Sequence, residues 1–119
     1  MAKKKMTAVS ISNAEHYIWG EKCDGWHLLK RDDVSVIQER VPAGEAETMH
    51  HHNHARQFFY ILEGEACMAF EDRIVNLQKS DGIEIPPLVN HRFENNSSED
   101  VHFLVISAPK SQGDRVNIG

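Results

Sequence analysis

Turn-forming residues recur so closely in this chain that only short extended segments fit between them. Gly20, Gly25, Asp32-Asp33, Pro42-Ala43-Gly44, Gly64, Asp72-Arg73, Gly82, Pro86-Pro87 and Pro109 mark the breaks. The intervals 26–30, 34–41, 57–63, 66–70, 74–77, 82–85, 91–94 and 101–107 are rich in β-branched, aromatic and aliphatic residues. Such segments read as strands, and proline confines a ladder to its edge or its end. Asn13 is expected to cap a short helical turn over 14–19 that Gly20 stops, and no longer helical period appears. Closely spaced short strands indicate an all-β sandwich or barrel, for which a jelly roll is one closure.

The 119 residues suffice for one domain with its own core, and a hydrophobic fraction of 40 % is ordinary for a water-soluble chain. The longest apolar run, 58–62, is strand-sized and far short of a membrane span. Lys3, Lys4 and Lys5 have no apolar stretch behind them, so no signal peptide is expected and the location is read as cytoplasmic. A formal net charge of −5 argues against a nucleic-acid partner. Cys23 and Cys67 make no disulfide framework; Cys67 reads as a small core residue, and Cys23 as a turn residue without an activating base.

The tract from His50 to His54 carries the chemistry. On an extended backbone His50, His52 and His54 share one face, and His51 and Asn53 the other. Side chains at i and i+2 lie about 6.6 Å apart, and metal–imidazole bonds are about 2.0–2.1 Å, so two such histidines can close on one ion. His91 and Phe93 share parity on a later segment. Gly44, His50, His52, Gln57 and Gly64 together resemble the first signature of the cupins, a glycine, a histidine pair, a carboxylate and a glycine. Pro86, His91 and Asn95 resemble the second, with Ser80 and Leu88 where that family usually has glycines. The resemblance covers 44–95 and implies a jelly-roll β-barrel with one divalent metal ion in its lumen (zinc, nickel, manganese or iron), held by His50, His52, Gln57 and His91. It sets the barrel at 9–108, between a disordered basic tail over 1–8 and an irregular C-terminal tail over 109–119. It leaves His51 and His54 as non-ligands, and Asn95 as a turn residue.

Gln57 departs from the family pattern by standing at its usual glutamate position. Three imidazoles and an amide would leave the full 2+ charge of an ion in place. That favours anionic ligands and the polarising of a carbonyl or hydroxyl over oxidative chemistry. Of the adjacent pair Glu39 and Arg40, one is expected to face the lumen, Glu39 as a general base or Arg40 as an anion clamp. The reading is a metal-binding protein acting on a small polar or sugar-acid-like metabolite by isomerase or lyase chemistry. The alternatives are a sensor that binds without turnover and an iron-dependent dioxygenase. The outward residues Phe58, Tyr60 and Leu62 are apolar, and with Trp19 and Trp26 they suggest a homodimer interface.

Overall fold

The computed structural model describes residues 6–118, so most of the basic tail expected over 1–8 lies outside the described residues. Eleven strands follow in order: β1 Glu15–Trp19, β2 Cys23–Lys30, β3 Ser35–Val41, β4 His50–His52, β5 Arg56–Glu63, β6 Ala66–Ala69, β7 Ile74–Leu77, β8 Gly82–Ile85, β9 Arg92–Glu94, β10 Val101–Ala108 and β11 Arg115–Asn117. The chain is all-β. One sheet has the order β1-β2-β3-β10-β5-β8. The other joins β11-β4 to β9-β6-β7 through the bridges His50 to His91 and Ala46 to Glu94.

The two sheets face each other across a core of alternating residues. Gln57, Phe59 and Ile61 of β5 point inward, as do Val101, Phe103, Val105 and Ser107 of β10. Phe93, from the opposite sheet, stacks on Phe103 with ring centroids 4.0 Å apart. Phe59 lies 6.0 Å from each of those rings and 6.1 Å from the imidazole of His91. The aromatic core is thus the floor of the histidine site.

Several local expectations give way to tertiary pairing. Residues 15–19 form β1 rather than a helical turn. Tyr17, Ile18 and Trp19 suit a pleated surface, and Gly20 takes φ 61° to turn the chain so that Trp19 pairs with Cys23. Cys23 therefore starts a strand and is buried in the core, where burial pushes its thiol up to about 11. Cys67 is half-buried on the other side of β6, with its thiol donating to Asn76 Oδ1 (3.2 Å), and its neighbours Ala66 and Met68 fill the core instead. The segment after Pro109 is not irregular throughout, because Arg115–Asn117 adds β11 to the edge of β4. His102 lies half-buried on the outward face of β10.

One glycine is required by backbone shape. Gly64 has φ 89°, and a Cβ there would meet the Asp100 carbonyl at 2.6 Å. Ser80 (φ 74°) and Leu88 (φ 72°) occupy the same left-handed region without being glycine. They are the two places where the resemblance calls for glycine.

Candidate metal centre

His50 and His52 project from one face of β4, separated by the alternation of a strand. β4 is held on both sides. Residues 115–117 of β11 pair with it in antiparallel register. On the other side the His50 N–H donates to the His91 carbonyl (3.0 Å), and the His91 N–H to the His50 carbonyl (2.8 Å). The backbone thus sets His50 directly opposite His91, and their ring centroids are 4.4 Å apart. One ligand nitrogen from each of His50, His52 and His91 lies within 4.8 Å of the others, a spread one ion can close with small side-chain shifts. All three residues are buried.

Their protonation follows from hydrogen bonds and burial. A carbonyl only accepts, so Nδ1–H of His50 donates to Thr48 O (2.7 Å) and Nδ1–H of His91 to Val89 O (2.9 Å). Nε2 is then the lone-pair nitrogen in both neutral rings. Burial pushes His50 down to about 3 and His52 down to about 4, and it lowers His91 as well. Neutral imidazole is the form that binds metal. His91 Nε2 and His52 Nδ1 are buried with no hydrogen-bond partner among the described residues. Buried polar atoms ordinarily have partners, and a cation would supply them.

Gln57 sits on the facing sheet, 5 % exposed. Its Nε2–H donates to the fully buried Ser107 Oγ (3.1 Å). Its Oε1 is buried without a partner among the described residues. Three buried imidazoles with converging nitrogens are a donor set that fits a divalent cation, so a metal ion can be held here, and Gln57 lines the same cavity as His50 and His52.

His50 and His52 line a cavity of about 590 Å³, whose walls also include Tyr17, Trp19, His27, Glu39, Glu47, Gln57, Phe59 and Arg115. Of the Glu39/Arg40 pair, Glu39 lines this cavity. Arg40 points away and is tied down: its Nε–H donates to Asp24 Oδ2 (2.6 Å) and its Nη1–H to Asp100 Oδ2 (3.0 Å). It is therefore not an anion clamp. Burial, with Glu47 beside it, raises the Glu39 carboxyl well above the usual range. Glu47 is pushed up to about 7 by burial, opposed by the Phe93 N–H (3.0 Å) and by Arg115 (3.8 Å). Tyr17 is also raised, by burial and by the two glutamates.

The remaining candidates sort by position. His51 is half-buried away from the cluster, with Nδ1 2.9 Å from Asn90 Oδ1, and His54 is exposed. Arg56 pairs with Glu84 on the surface (2.6 Å). Asn95 is fully buried, donating to Val41 O (2.9 Å) and Glu99 O (2.8 Å). Trp19 packs against the core and lines the cavity, so it is not on an outer interface. Sequence reasoning missed Tyr17, His27, Glu47 and Arg115. Strand parity could have indicated Tyr17 and His27 had residues 15–19 been read as a strand. Nothing local indicates Glu47, which lies outside any strand, or Arg115.

A sequence model described as the Cupin domain matches residues 37–107, more than half of the chain. The chain belongs to the cupin family. An uncharacterised protein of Methanocaldococcus jannaschii is 32 % identical over 83 residues, which span 70 % of this cupin and 66 % of that protein. Among solved structures, a protein of Klebsiella pneumoniae with a double-stranded β-helix domain superposes with a TM-score of 0.80 at 17 % identity, covering 97 % of this chain and 99 % of that one. The polyketide cyclase RemF of Streptomyces resistomycificus gives 0.83 at 18 %, covering 97 % and 87 %. A cupin sugar phosphate isomerase of Silicibacter pomeroyi gives 0.76 at 17 %, covering 87 % and 76 %. At these identities the likeness is one of fold, and one scaffold hosts many chemistries. No helix among the described residues is long and apolar enough to cross a membrane.

Proposed function

We propose that this cupin is a metal-dependent enzyme of the isomerase or lyase kind, acting on a small oxygen-bearing metabolite. The observation that carries the reading is the cluster of three buried imidazoles, two of which, His50 and His52, line one cavity with the buried carboxyl of Glu39. His50, His52 and His91, with the Gln57 oxygen, would hold a divalent ion such as zinc, nickel, manganese or iron. The ion would supply Lewis acidity at a carbonyl or hydroxyl oxygen of the substrate.

The chain's own groups do the rest. Gln57, tethered to Ser107, keeps an oxygen in the site without adding negative charge. Glu39, whose carboxyl burial raises well above the usual range, would exchange a proton with a carbon or oxygen of the substrate. Glu47, fixed by the Phe93 N–H and pushed up to about 7 by burial, is a second carboxyl lining the same cavity. The all-neutral ligand set stabilises ferric iron poorly, so it favours this reading over a dioxygenase. The free thiols of Cys23 and Cys67 fit a reducing compartment such as the cytoplasm. Phe58, 41 % exposed, and the half-buried Tyr60 and Leu62 give β5 an apolar outer face suited to a homodimer. Sedimentation at micromolar concentration tests that, with a monomer mass against it.

The test of the activity has two parts. Elemental analysis of untagged protein should find about one divalent ion per chain. A panel of 2-hydroxy and 2-keto acids carrying deuterium next to the oxygenated carbon should then reveal washout into water. That washout should vanish in Glu39→Gln while the ion content holds. A chain that takes up no ion, or washout indifferent to Glu39, would refute the proposal. Tight ligand binding without any exchange would make the protein a sensor.

A further inference from the structure

The part of the cavity wall nearest the chain's start is aromatic. Tyr17 and Trp19 of β1 and His27 of β2 line it. The rings of Tyr17 and His27 lie 4.9 Å apart, inclined by 32°. Gly25 makes this wall possible. Tyr17 pairs with Gly25 across the hairpin, and its ring fills the space where a Cβ at position 25 would stand. The ring is thereby laid over β2, toward Glu39, the partner of Gly25 on β3. Tyr17, Trp19, Gly25 and His27 all precede residue 37, where the match to the cupin family begins.

Two features of the wall point to a ligand. The indole N–H of Trp19 and Nδ1 of His27 are buried with no partner among the described residues, although both side chains line the cavity. Tyr17 and Phe59 add aromatic rings to the same lining. Flat aromatic surfaces are attracted to other rings in offset or tilted stacks. A pyranose or an open-chain sugar acid carries hydroxyls around its whole edge, and each one buried without a partner is costly. On this wall itself the polar atoms are the Tyr17 hydroxyl, Trp19 Nε1 and His27 Nδ1, while the charged residues lining the cavity, among them Lys30, Arg31, Lys110 and Arg115, suit an acid group.

We propose that the Tyr17, Trp19 and His27 wall binds a flat conjugated ring bearing a few oxygen substituents, a phenolic or cyclic-enol compound, rather than a sugar acid. The wall holds the ring face, and the oxygens reach Trp19 Nε1, His27 Nδ1 and the histidine cluster. The assignment rests on the reading that this cavity is the substrate site, but contact with the ring needs no metal ion.

The chain has two tryptophans. Trp26 pairs with His16 on the opposite face of the hairpin, so Trp26→Phe leaves Trp19 as the single fluorophore. Metal-free Trp26→Phe protein is titrated with 2-hydroxybenzoate, D-glucuronate and D-gluconate, with affinities from calorimetry and Trp19 emission read in parallel. The aromatic acid should perturb Trp19 and bind about 10-fold or more tighter than either sugar acid. Tyr17→Ala should weaken it about 10-fold, while Tyr17→Phe, which keeps the ring, stays within about threefold. Equal or tighter binding of a sugar acid, no binding of the aromatic acid at millimolar concentration, or indifference to Tyr17→Ala in folded protein would each overturn the proposal. Ion uptake by the parent protein is measured separately. Failure there would refute the metal-enzyme reading and leave the ring site standing.

Discussion

Gln57→Glu restores the carboxylate that the family signature carries, and its cost and benefit can be worked from the surroundings. The side chain is 5 % exposed and has one hydrogen-bond partner, Ser107 Oγ. In metal-free protein a glutamate there would have one neutral hydroxyl to bind and no cation. A carboxyl so placed keeps its proton. At pH 7 it forgoes the ionisation open to the unfolded chain, which amounts to at most about 3.7 kcal/mol for a group whose ordinary pKa is about 4.3. At about 4 °C per kcal/mol the metal-free variant should melt about 10–15 °C below the parent. A divalent ion removes the reason to stay protonated, so part of that free energy should return as affinity. Recovery of less than half would tighten the ion about 10-fold. Thermal unfolding by circular dichroism, with and without zinc, gives the first quantity, and competition against a chelator gives the second. A metal-free variant as stable as the parent would mean that position 57 is wetter than its burial indicates. A destabilised variant with unchanged ion affinity would mean that the side chain does not face the ion.

Three further outcomes follow from single observations. Leu88 is 65 % exposed with φ 72°, and Ser80 has φ 74°. Relief of about 1–2 kcal/mol of left-handed strain, less about 0.4–1 for the looser unfolded chain, should make Ser80→Gly and Leu88→Gly each stabilise by about 0.5–1 kcal/mol in urea denaturation, and a double variant no more stable than the parent would contradict this. Glu47 is pushed up to about 7, so folding is penalised as pH climbs from about 4.3 to about 7 and stays penalised above that, by roughly 3 kcal/mol. Glu47→Gln should therefore gain stability over the parent at pH 8 and not at pH 4.5 in metal-free protein, whereas a pH-independent difference would refute the assignment. Gly25→Ala places a methyl where the Tyr17 ring lies, and it should cost about 1–3 kcal/mol in urea denaturation; a loss under about 0.5 kcal/mol would show that the ring moves freely.

Much of the barrel was legible because strand signals are local. Alternation in β5 placed Gln57, Phe59 and Ile61 inward, and alternation around His91 placed Phe93 inward with it. The breaks at Gly64, Asp72-Arg73 and Pro86-Pro87 fall between strands. Propensity misread residues 15–19, where an aromatic-rich pentapeptide follows a plausible helix cap. Pairing with β2 overrode the cap, a tertiary effect that no local rule contains. The left-handed backbone at Ser80 and Leu88 could be anticipated only through the resemblance, since serine and leucine do not announce a positive φ.

The sequence by itself determined the class of fold, because a period of two fixes which side chains share a face and turn residues fix where each strand ends, and the resemblance to the cupins singled out the imidazoles that meet. Only the tertiary structure decided that Glu39 faces the cavity and Arg40 does not, and that Glu47, Tyr17 and Arg115 join it there. Those groups come from segments far apart in the chain. Their protonation depends on burial and on one another, quantities that exist only once the two sheets have closed.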